Sequence, residues 1–317
     1  MASAFSGAER IELPRLASAP LAPLKLPDFL ALNIPPRLNL LGPIIAEKSI
    51  NMLFGPRGCG KTHLGVGIAV AVATGTRFLR WEAATPRRVL YIDGEMPAAA
   101  LIDRFRAATV GAANVSFADM NLAILASDLR LDGLPNLATQ DGQERFAPAV
   151  GGSDLIVVDN IATLCRGGKE NEAESWATLQ AWALEQRRAG RAVLFLHHAG
   201  KGGDQRGTSA REDIMDTVIK LSRPADYQAT EGARMIVDFT KARGIMGQDA
   251  EAFEVQLADG IWAVRSAVTA RDESILQLKS EGLSQRDIAR EVGTSLGTVN
   301  RVLNRNPGPL PPANDDG

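Results

Sequence analysis

The feature that most constrains the fold is the glycine-rich segment GPRGCGKT at residues 55–62. It follows an apolar run, SINMLFG (49–55), that predicts a buried strand, and it leads into a predicted buried helix, KTHLGVGIAVAVATG (61–75). The spacing matches G-x-x-x-x-G-K-[S/T], in which backbone N–H groups curl around phosphate oxygens and the helix N-terminus adds partial positive charge. We therefore expect a phosphate-binding loop, and an ordinary glycine-rich turn is the alternative.

Two side chains of this segment have specific chemical roles in such a loop. The ammonium group of Lys61 is expected to reach the β- and γ-phosphates, and the Thr62 hydroxyl is expected to bind Mg²⁺. The motif therefore predicts ATP and Mg²⁺ as cofactors. The expected nucleotide contacts are the motif and the residue after it: Gly55, Pro56, Arg57, Gly58, Cys59, Gly60, Lys61, Thr62 and His63.

Beyond this segment, strand patterns alternate with helical patterns. Strands are predicted at 87–95, 154–160 and 191–198, and helices at 97–111 and 171–190. Three further segments, DTVIKLSR, RMIVDFTKAR and AFEVQLADGIWAVR, are typical of strands joined by hairpins. This order predicts an α/β fold, in which a mainly parallel sheet is covered by helices on both faces and continues as an antiparallel extension at its C-terminal edge.

Acidic residues end two of the predicted strands. Asp159 follows LIVV, where a carboxylate can hold the hydration shell of Mg²⁺; an aspartate that caps the next helix is the alternative. Asp93 and Glu95 end VLYIDGE and share one face of an extended chain. Either carboxylate can orient or deprotonate an attacking water, and the residues alone leave both open.

Five segments carry a family resemblance: PPRLNLLGPIIAEKSINMLFGPRGCGKTH, AVATGTRF, VLYIDGEM, LIVVDN and FLHHAGKGGDQRGTS. Together they resemble the RecA-type ATPases and, more narrowly, the plasmid replicative helicase RepA family and related phage and plasmid ATPases, over about residues 26–265. The resemblance implies a RecA-like twisted sheet and favours Glu95 as the catalytic acid. The family commonly continues Glu-Asp-Pro, whereas this chain has Met96 after Glu95, which removes a second acid.

The resemblance also implies a ring, usually of six subunits, with ATP between neighbours and single-stranded DNA in the channel. The segment FTKARG (239–244) resembles the Lys-x-Arg element of ring helicases. We therefore assign Lys241 and Arg243 to the γ-phosphate of a neighbouring subunit, because a guanidinium stays charged and donates to several phosphate oxygens. A solvated basic strand end is the alternative. Arg104 matches a recurrent arginine of the group, and we expect it on a helix surface.

Two adjacent histidines end the strand pattern of LFLHHAGKGGDQRGTS (194–209). A metal site is disfavoured, because neighbouring side chains on a strand point to opposite faces and no cysteine or acid cluster lies nearby. In RecA-type motors this strand ends in a polar residue that bonds the γ-phosphate, and His198 takes that place. The following loop carries Lys201 and Arg206, which are expected to grip single-stranded DNA. A surface loop beside structural histidines is the alternative.

The segment 271–305 predicts three short helices with a helix-turn-helix layout. Ser284 and Ser295 can cap the second and third helices, and Gly293 suits the tight turn. The layout resembles DNA-binding modules of recombinases and regulators. The residues expected at the major groove are Leu296, Thr298, Asn300 and Arg301. The segment has six basic and five acidic residues, a net charge of 6 − 5 = +1, which is low for duplex binding. A helical bundle that packs on the ring or on a partner is the alternative.

Composition sets limits on location and partners. The chain has 35 basic and 37 acidic residues, a net charge of −2, so any nucleic-acid contact must come from local patches. Its two cysteines, Cys59 and Cys165, are far apart, which fits a reducing compartment. We see no signal-peptide pattern, and the longest apolar run (64–73) is too short to span a bilayer. We expect a cytoplasmic protein without membrane contact.

These observations predict four segments and rank three functions. The segments are a flexible arm (1–25), a RecA-like ATPase domain (26–265), a small all-α helix-turn-helix domain (271–305) and a disordered tail (306–317). The leading interpretation is a ring-forming, ATP-dependent DNA helicase or translocase of plasmid or phage replication type. The alternative is a DNA-binding ATPase switch, a regulator or loader that does not unwind DNA. A small-molecule kinase is disfavoured, because Glu95 suits the activation of water.

Overall fold

The structure, a computed structural model, describes residues 22–110, 121–166, 172–199 and 212–305. The described residues from Asn39 onward belong to one compact unit, and residues 22–38 belong to another. The smaller unit contains helix α1 (Leu26–Leu30), whose large apolar side chains are exposed. Most of the predicted arm and all of the predicted tail lie outside the described residues, and the predicted domain boundaries stay predictions.

Strands and helices alternate through the larger unit, as the described residues show. The strands are β1 (Asn39–Leu41), β2 (Ile45–Ala46), β3 (Ile50–Gly55), β4 (Arg77–Phe78), β5 (Trp81–Glu82), β6 (Val89–Asp93), β7 (Leu122–Ala126), β8 (Leu155–Asp159), β9 (Ala192–His198), β10 (Thr217–Ser222), β11 (Ala233–Ala242), β12 (Phe253–Ala258) and β13 (Ile261–Ser266). The helices after α1 are α2 (Lys61–Thr74), α3 (Ala98–Val110), α4 (Gln140–Val150), α5 (Ile161–Leu164), α6 (Glu172–Arg188), α7 (Ala267–Ser280), α8 (Gln285–Glu291) and α9 (Leu296–Arg305).

Nine of these strands form one sheet, in the spatial order β13-β12-β11-β10-β3-β9-β8-β6-β7. The pairs from β10 to β7 are parallel, and the pairs β10–β11, β11–β12 and β12–β13 are antiparallel. The predicted mainly parallel sheet with an antiparallel C-terminal extension is therefore confirmed. Because the central strands are parallel, β3, β6, β8 and β9 all end at the same edge.

Helices cover both faces of the sheet, and this explains why the central strands are continuously apolar. Successive residues of each strand point to opposite faces. Leu53 and Leu194 therefore join the core that α2 and α3 cover, while Met52 and Phe195 join the core that α4 and α6 cover. Both cores are closed to water, and Trp182 of α6 packs 6.4 Å from the Phe195 ring.

The phosphate-loop helix shows why one predicted boundary was accurate. Helix α2 ends at Thr74, and Gly75 takes a left-handed conformation with φ of 66°. A Cβ at Gly75 would lie 2.7 Å from Pro86, so both the backbone and the packing require glycine. None of the described helices is long and apolar enough to cross a bilayer.

The three C-terminal helices, α7 to α9, pack around a small apolar core of their own. Ile275, Ile288 and Val299 are fully buried at its centre. Ser284 caps α8 through a bond from the N–H of Asp287, and Gly293 takes φ of 65° in the turn that follows. The predicted helices, the Ser284 cap and the turn are present.

Charged side chains tie these helices to the antiparallel end of the sheet. Arg234, which is 5% exposed, donates to Glu254 at 2.8 Å and to Asp226 at 3.1 Å. Asp226 also accepts a 2.7 Å hydrogen bond from Ser274 of α7, and Arg265 of β13 donates to Glu254 at 2.5 Å. The C-terminal helices are thus joined to β11, β12 and the loop before β11 through a buried ionic network.

Candidate functional site

A cavity of about 580 Å³ lies at the edge where the parallel strands end. Its walls come from the phosphate loop after β3, the segment after β6, the ends of β8 and β9, and the start of β11. Ligands of open parallel sheets bind at this edge, because the loops that follow neighbouring strands converge there. The cavity is therefore the candidate functional site.

The phosphate loop has the backbone geometry that its glycines predict. Gly58 and Gly60 have φ of 71° and 101°, which side chains rarely adopt. A Cβ at Gly60 would also lie 2.5 Å from Cε of Met235. The residue before α2 is Gly60, so no N-cap side chain occupies the first N–H groups of the helix, which favours an anion there.

Lys61 is buried and folds back over its own loop. Its ammonium group donates to the carbonyl oxygens of Gly55 at 3.0 Å and Pro56 at 2.7 Å. Burial lowers the pKa of Lys61, and the nearby Cys59, Asp159 and Glu95 oppose that shift. The cation is thus held at the mouth of the loop, where a phosphate chain would be a stronger partner than two carbonyls.

Asp159 faces Thr62 beside the loop. The Asp159 carboxylate is 3% exposed and accepts hydrogen bonds from the Thr62 hydroxyl and from the Tyr91 hydroxyl, the latter at 2.7 Å. Burial raises the pKa of Asp159, and the two hydroxyl donors oppose that rise. The alternative role of Asp159 as a helix cap is filled by the next residue, Asn160, which caps α5.

The structure separates the two acids that end β6. Asp93 is fully buried, and its Oδ1 accepts from the backbone N–H groups of Glu95 at 3.2 Å and Met96 at 2.8 Å. Burial raises its pKa to about 6. Glu95 instead points into the cavity, and half of its side chain is exposed. Asp93 therefore shapes the turn, and Glu95 is the acid available to a ligand.

Glu95 belongs to a cluster of three side chains. The amide nitrogen Nδ2 of Asn160 donates to Oε2 of Glu95 and lies 3.2 Å from Nε2 of His198. The same His198 nitrogen lies 3.4 Å from Oε2 of Glu95. Burial lowers the pKa of His198, and the Lys61 charge acts in the same direction. His198 pairs with Gly55 across β9 and β3, so the cluster sits beside the phosphate loop.

These groups fit a nucleoside triphosphate with Mg²⁺. The loop N–H groups and Lys61 provide donors for phosphate oxygens, and Thr62 and Asp159 provide the hard oxygen ligands that Mg²⁺ prefers. The buried carboxylate of Asp159, whose pKa is raised, would be stabilised by a cation. Arg57 of the phosphate loop and Arg104 of α3 also line the cavity. Arg104 was expected on a helix surface, but it is half-buried and lines the cavity.

Lys241 and Arg243 do not lie in this cavity. Lys241 pairs with Val218 at the start of β10, and both basic side chains donate to the carbonyl oxygen of Asp213 at 3.3 Å. They are at the edge where β3 and β10 begin, whereas Gly55 and the phosphate loop are at the edge where β3 ends. Within one chain, Lys241 and Arg243 therefore lie at the opposite end of the central strands from the phosphate loop.

The expected DNA contacts fall in two places. Lys201 and Arg206 lie outside the described residues. On α9, Leu296 is 40% exposed and Arg301 is exposed, while Thr298 and Asn300 are half-buried. The Thr298 hydroxyl lies 3.0 Å from the hydroxyl of Ser295, the residue before α9, so part of the hydrogen-bonding capacity of Thr298 is used locally.

Asn160 and Arg223 contact predicted site residues but were not themselves predicted from the sequence. Asn160 follows the buried strand β8, and its only sequence signal is that position. Arg223 follows β10; its guanidinium donates to the carbonyl oxygen of Gly58 at 3.3 Å and lies 4.2 Å from the ring centroid of Tyr227. Both come from elements that are distant in sequence from the phosphate loop, so only the fold brings them together.

The sheet, the glycine loop and the acid at the end of β8 define a P-loop domain with a RecA-like fold. The AAA domain family matches residues 17–204, more than half of the chain, and the chain belongs to this family. Its fold is similar to the crystal structure of a KaiC-like protein from the hyperthermophilic archaeon Pyrococcus horikoshii. The two share 17% sequence identity at a TM-score of 0.51, over 69% of this chain and 90% of that chain. This similarity supports the RecA-like fold.

Proposed function

We propose that this protein hydrolyses ATP and uses the energy to move on DNA as a ring, as a helicase or translocase of plasmid or phage replication. The observation that carries the proposal is the position of Lys241 and Arg243 at the edge of the sheet opposite to the phosphate loop. Basic groups placed there can serve a nucleotide only if it is bound to another subunit.

The chemistry of hydrolysis is distributed over the residues of the cavity. Bound ATP with Mg²⁺ supplies the phosphoryl group that is transferred to water. Lys61 and the loop N–H groups would bind the phosphates, and Thr62 and Asp159 would hold Mg²⁺. Glu95 orients the water and accepts its proton, since it is the exposed carboxylate of the cavity. In this proposal His198, at the end of β9, bonds the γ-phosphate.

A subunit interface completes the site in this proposal. Arg243 carries a permanent charge, and Lys241 lies beside it on the same strand end. In other phosphoryl-transfer enzymes a basic group donated in trans is worth roughly 10³–10⁵ in rate. In such a ring we expect Lys201 and Arg206 to contact single-stranded DNA in the central channel.

A DNA-binding ATPase switch without unwinding activity is the second candidate. The observation that favours it is the C-terminal unit, in which α8 and α9 are joined by a short turn as in helix-turn-helix modules, with Arg301 exposed on α9. Its net charge of +1 over 271–305 is low for a strong duplex binder. Under this alternative, ATP hydrolysis times a change in DNA binding or loading.

Two measurements test the proposal. Mass measurement in solution, with and without an ATP analogue and single-stranded DNA, should show a closed oligomer, and a monomer under all conditions would exclude a shared site. Unwinding of a forked duplex then separates the candidates. The motor should displace the strand with a fixed polarity, whereas the switch should hydrolyse ATP and bind DNA without displacement.

A further inference from the structure

Asn160 occupies a position between the acid and the histidine of the site. It is 1% exposed, and it lies 65 residues from Glu95 and 38 residues from His198 in sequence. Three separate strands, β6, β8 and β9, therefore deliver these three side chains to one point. Asn160 therefore contacts the acid and the histidine of the site at once.

The orientation of the Asn160 amide is set by its own backbone. Its oxygen Oδ1 accepts from the N–H of Thr163 at 3.3 Å and thereby caps α5. This bond turns the nitrogen Nδ2 toward Glu95 and His198, because the two ends of the amide point in opposite directions. An aspartate could make the same cap but could not donate to Glu95.

The amide nitrogen has two N–H groups, and each meets a different acceptor. One goes to Oε2 of Glu95, and the other faces Nε2 of His198 at 3.2 Å. Nδ2 can only donate, so its approach to Nε2 is a hydrogen bond in the tautomer whose Nε2 is unprotonated; Nδ1 of His198 is buried and has no hydrogen-bond partner among the described residues. Oε2 of Glu95 and Nε2 of His198 lie 3.4 Å apart, and both are within reach of the Asn160 amide nitrogen. Asn160 is the group that bridges them.

We propose that Asn160 is a positioning residue for ATP hydrolysis, whose amide holds the Glu95 carboxylate beside His198. The inference rests on the proposed function. The water-orienting acid and the residue at the γ-phosphate position then share one support, so that a shift of His198 on the phosphate also changes the position of Glu95. Loss of the amide leaves both acceptors in place but frees the Glu95 carboxylate to rotate toward solvent.

The test uses the full chain with the substitution Asn160→Ser. A serine keeps the cap on α5, because its hydroxyl can accept from the Thr163 N–H, but it is too short to bridge Glu95 and His198. We expect kcat to fall roughly 10- to 100-fold, as when a catalytic group loses its orientation. The KM for ATP and the affinity for a fluorescent ATP analogue should stay within about threefold. Thermal unfolding of Asn160→Ser and Asn160→Ala separates the cap from the bridge: only Asn160→Ala should lose stability, while both should lose turnover.

A double-variant comparison shows whether Asn160 acts through Glu95. In a Glu95→Gln background, single-turnover hydrolysis should fall no further when Asn160→Ser is added, because no carboxylate remains to be positioned. Normal kcat in Asn160→Ser, a raised KM alone, or a full additional loss in the Glu95→Gln background would each overturn the inference while leaving the proposed hydrolysis intact. Absence of phosphate release from the wild-type protein would overturn the proposed function itself, and the role of Asn160 with it.

Discussion

The hydroxyl group of Tyr91 donates a 2.7 Å hydrogen bond to Oδ2 of Asp159, and the Tyr91 ring is fully buried. The ring packs edge-on against Phe105 of α3, with centroids 5.3 Å apart. Burial raises the pKa of Tyr91, and Asp159 adds to that rise, so the phenol remains a donor. The acid beside the phosphate loop is thus oriented by a side chain that is itself fixed in the core.

Tyr91→Phe should weaken Mg²⁺-dependent nucleotide binding without removing the ring from the core. Asp159 would keep the Thr62 hydroxyl but lose its second donor, and we expect roughly a tenfold loss in apparent Mg²⁺ affinity, the lower end for a group that orients a metal ligand. Stability should fall by about 1–2 kcal/mol. Titration of a fluorescent ATP analogue at several Mg²⁺ concentrations measures the first effect. Ser153→Ala, which removes a buried hydroxyl that bonds the Val150 carbonyl just before β8, away from the cavity, is the matched control, and an equal loss there would contradict the role of Tyr91.

Lys61→Ala and Glu95→Gln should fail at different steps. If Lys61 binds the phosphates as proposed, Lys61→Ala should abolish nucleotide binding. Glu95→Gln keeps the shape of the side chain but not the base, so it should bind ATP normally while turnover falls roughly 10²–10⁴-fold. Analogue titration beside a phosphate-release assay distinguishes them, with Lys279→Ala on the exposed face of α7 as a control. Normal turnover in Glu95→Gln would remove it from the reaction.

Arg243→Ala should be rescued in part by a subunit that carries a different defect. If Arg243 serves the neighbour's nucleotide, mixing Arg243→Ala with Glu95→Gln subunits leaves some interfaces with both groups intact. ATPase activity of the mixture should therefore exceed that of either variant alone. Subunit exchange is confirmed with differently tagged chains. A mixture that exchanges and stays inactive at every ratio would argue against a shared site.

Asp93→Asn should stabilise the protein at neutral pH. The pKa of the buried Asp93 carboxyl is about 6, above its ordinary value of 3.8, so the folded state must ionise a buried group as pH rises through 4–6 and loses stability over that range. An asparagine can accept the same two N–H bonds without a charge. We expect a gain of about 1–2 kcal/mol at pH 7, allowing for solvent screening, and a much smaller gain at pH 4. Urea unfolding at both pH values measures it. The exposed Asp132→Asn is the control, and a gain independent of pH would show another cause.

Lys201→Ala combined with Arg206→Ala should weaken single-stranded DNA binding and flatten its salt dependence. Each lost phosphate contact reduces the slope of log affinity against log salt by roughly 0.7 for a single strand. His198→Ala, on the strand that leads into this loop, should still bind ATP but lose DNA-stimulated hydrolysis. Affinities of the double variant for single-stranded DNA, measured between low and moderate salt, test the change in slope. An unchanged slope would place the loop away from DNA.

The phosphate loop and the acid Asp159 were predictable because their signals are local. A glycine loop between a strand and a helix is compatible with few folds. In a parallel sheet the carboxyl ends of neighbouring strands meet at one edge, which brings Asp159 close to this loop. The family resemblance, and not the residues alone, favours Glu95 over Asp93. In the structure, Oδ1 of Asp93 accepts hydrogen bonds from the backbone N–H groups of Glu95 and Met96.

The missed elements depend on information that no short segment holds. Helix α4 contains Gly142 and Pro148, both unfavourable inside helices, and tertiary packing of Phe146 in the core stabilises it instead. Asn160 and Arg223 reach the site only because distant strands end at one edge. Their residue types are common at strand ends, so the sequence offers no sign of their contacts.

The hydrogen bonds from Ser274 to Asp226 and from Arg265 to Glu254 limit how the C-terminal helices can be exchanged between related chains by recombination. In sequence, helices α7 to α9 resemble an exchangeable segment. If three different helices were joined after Ser266, however, the Asp226 carboxylate would remain beside Arg234 but would lose its hydroxyl donor. A working chimera therefore has to inherit the hydroxyl at position 274 together with the loop that holds Asp226. The segment that must be transferred as a whole therefore includes the sheet residues that bond these helices as well as the helices themselves.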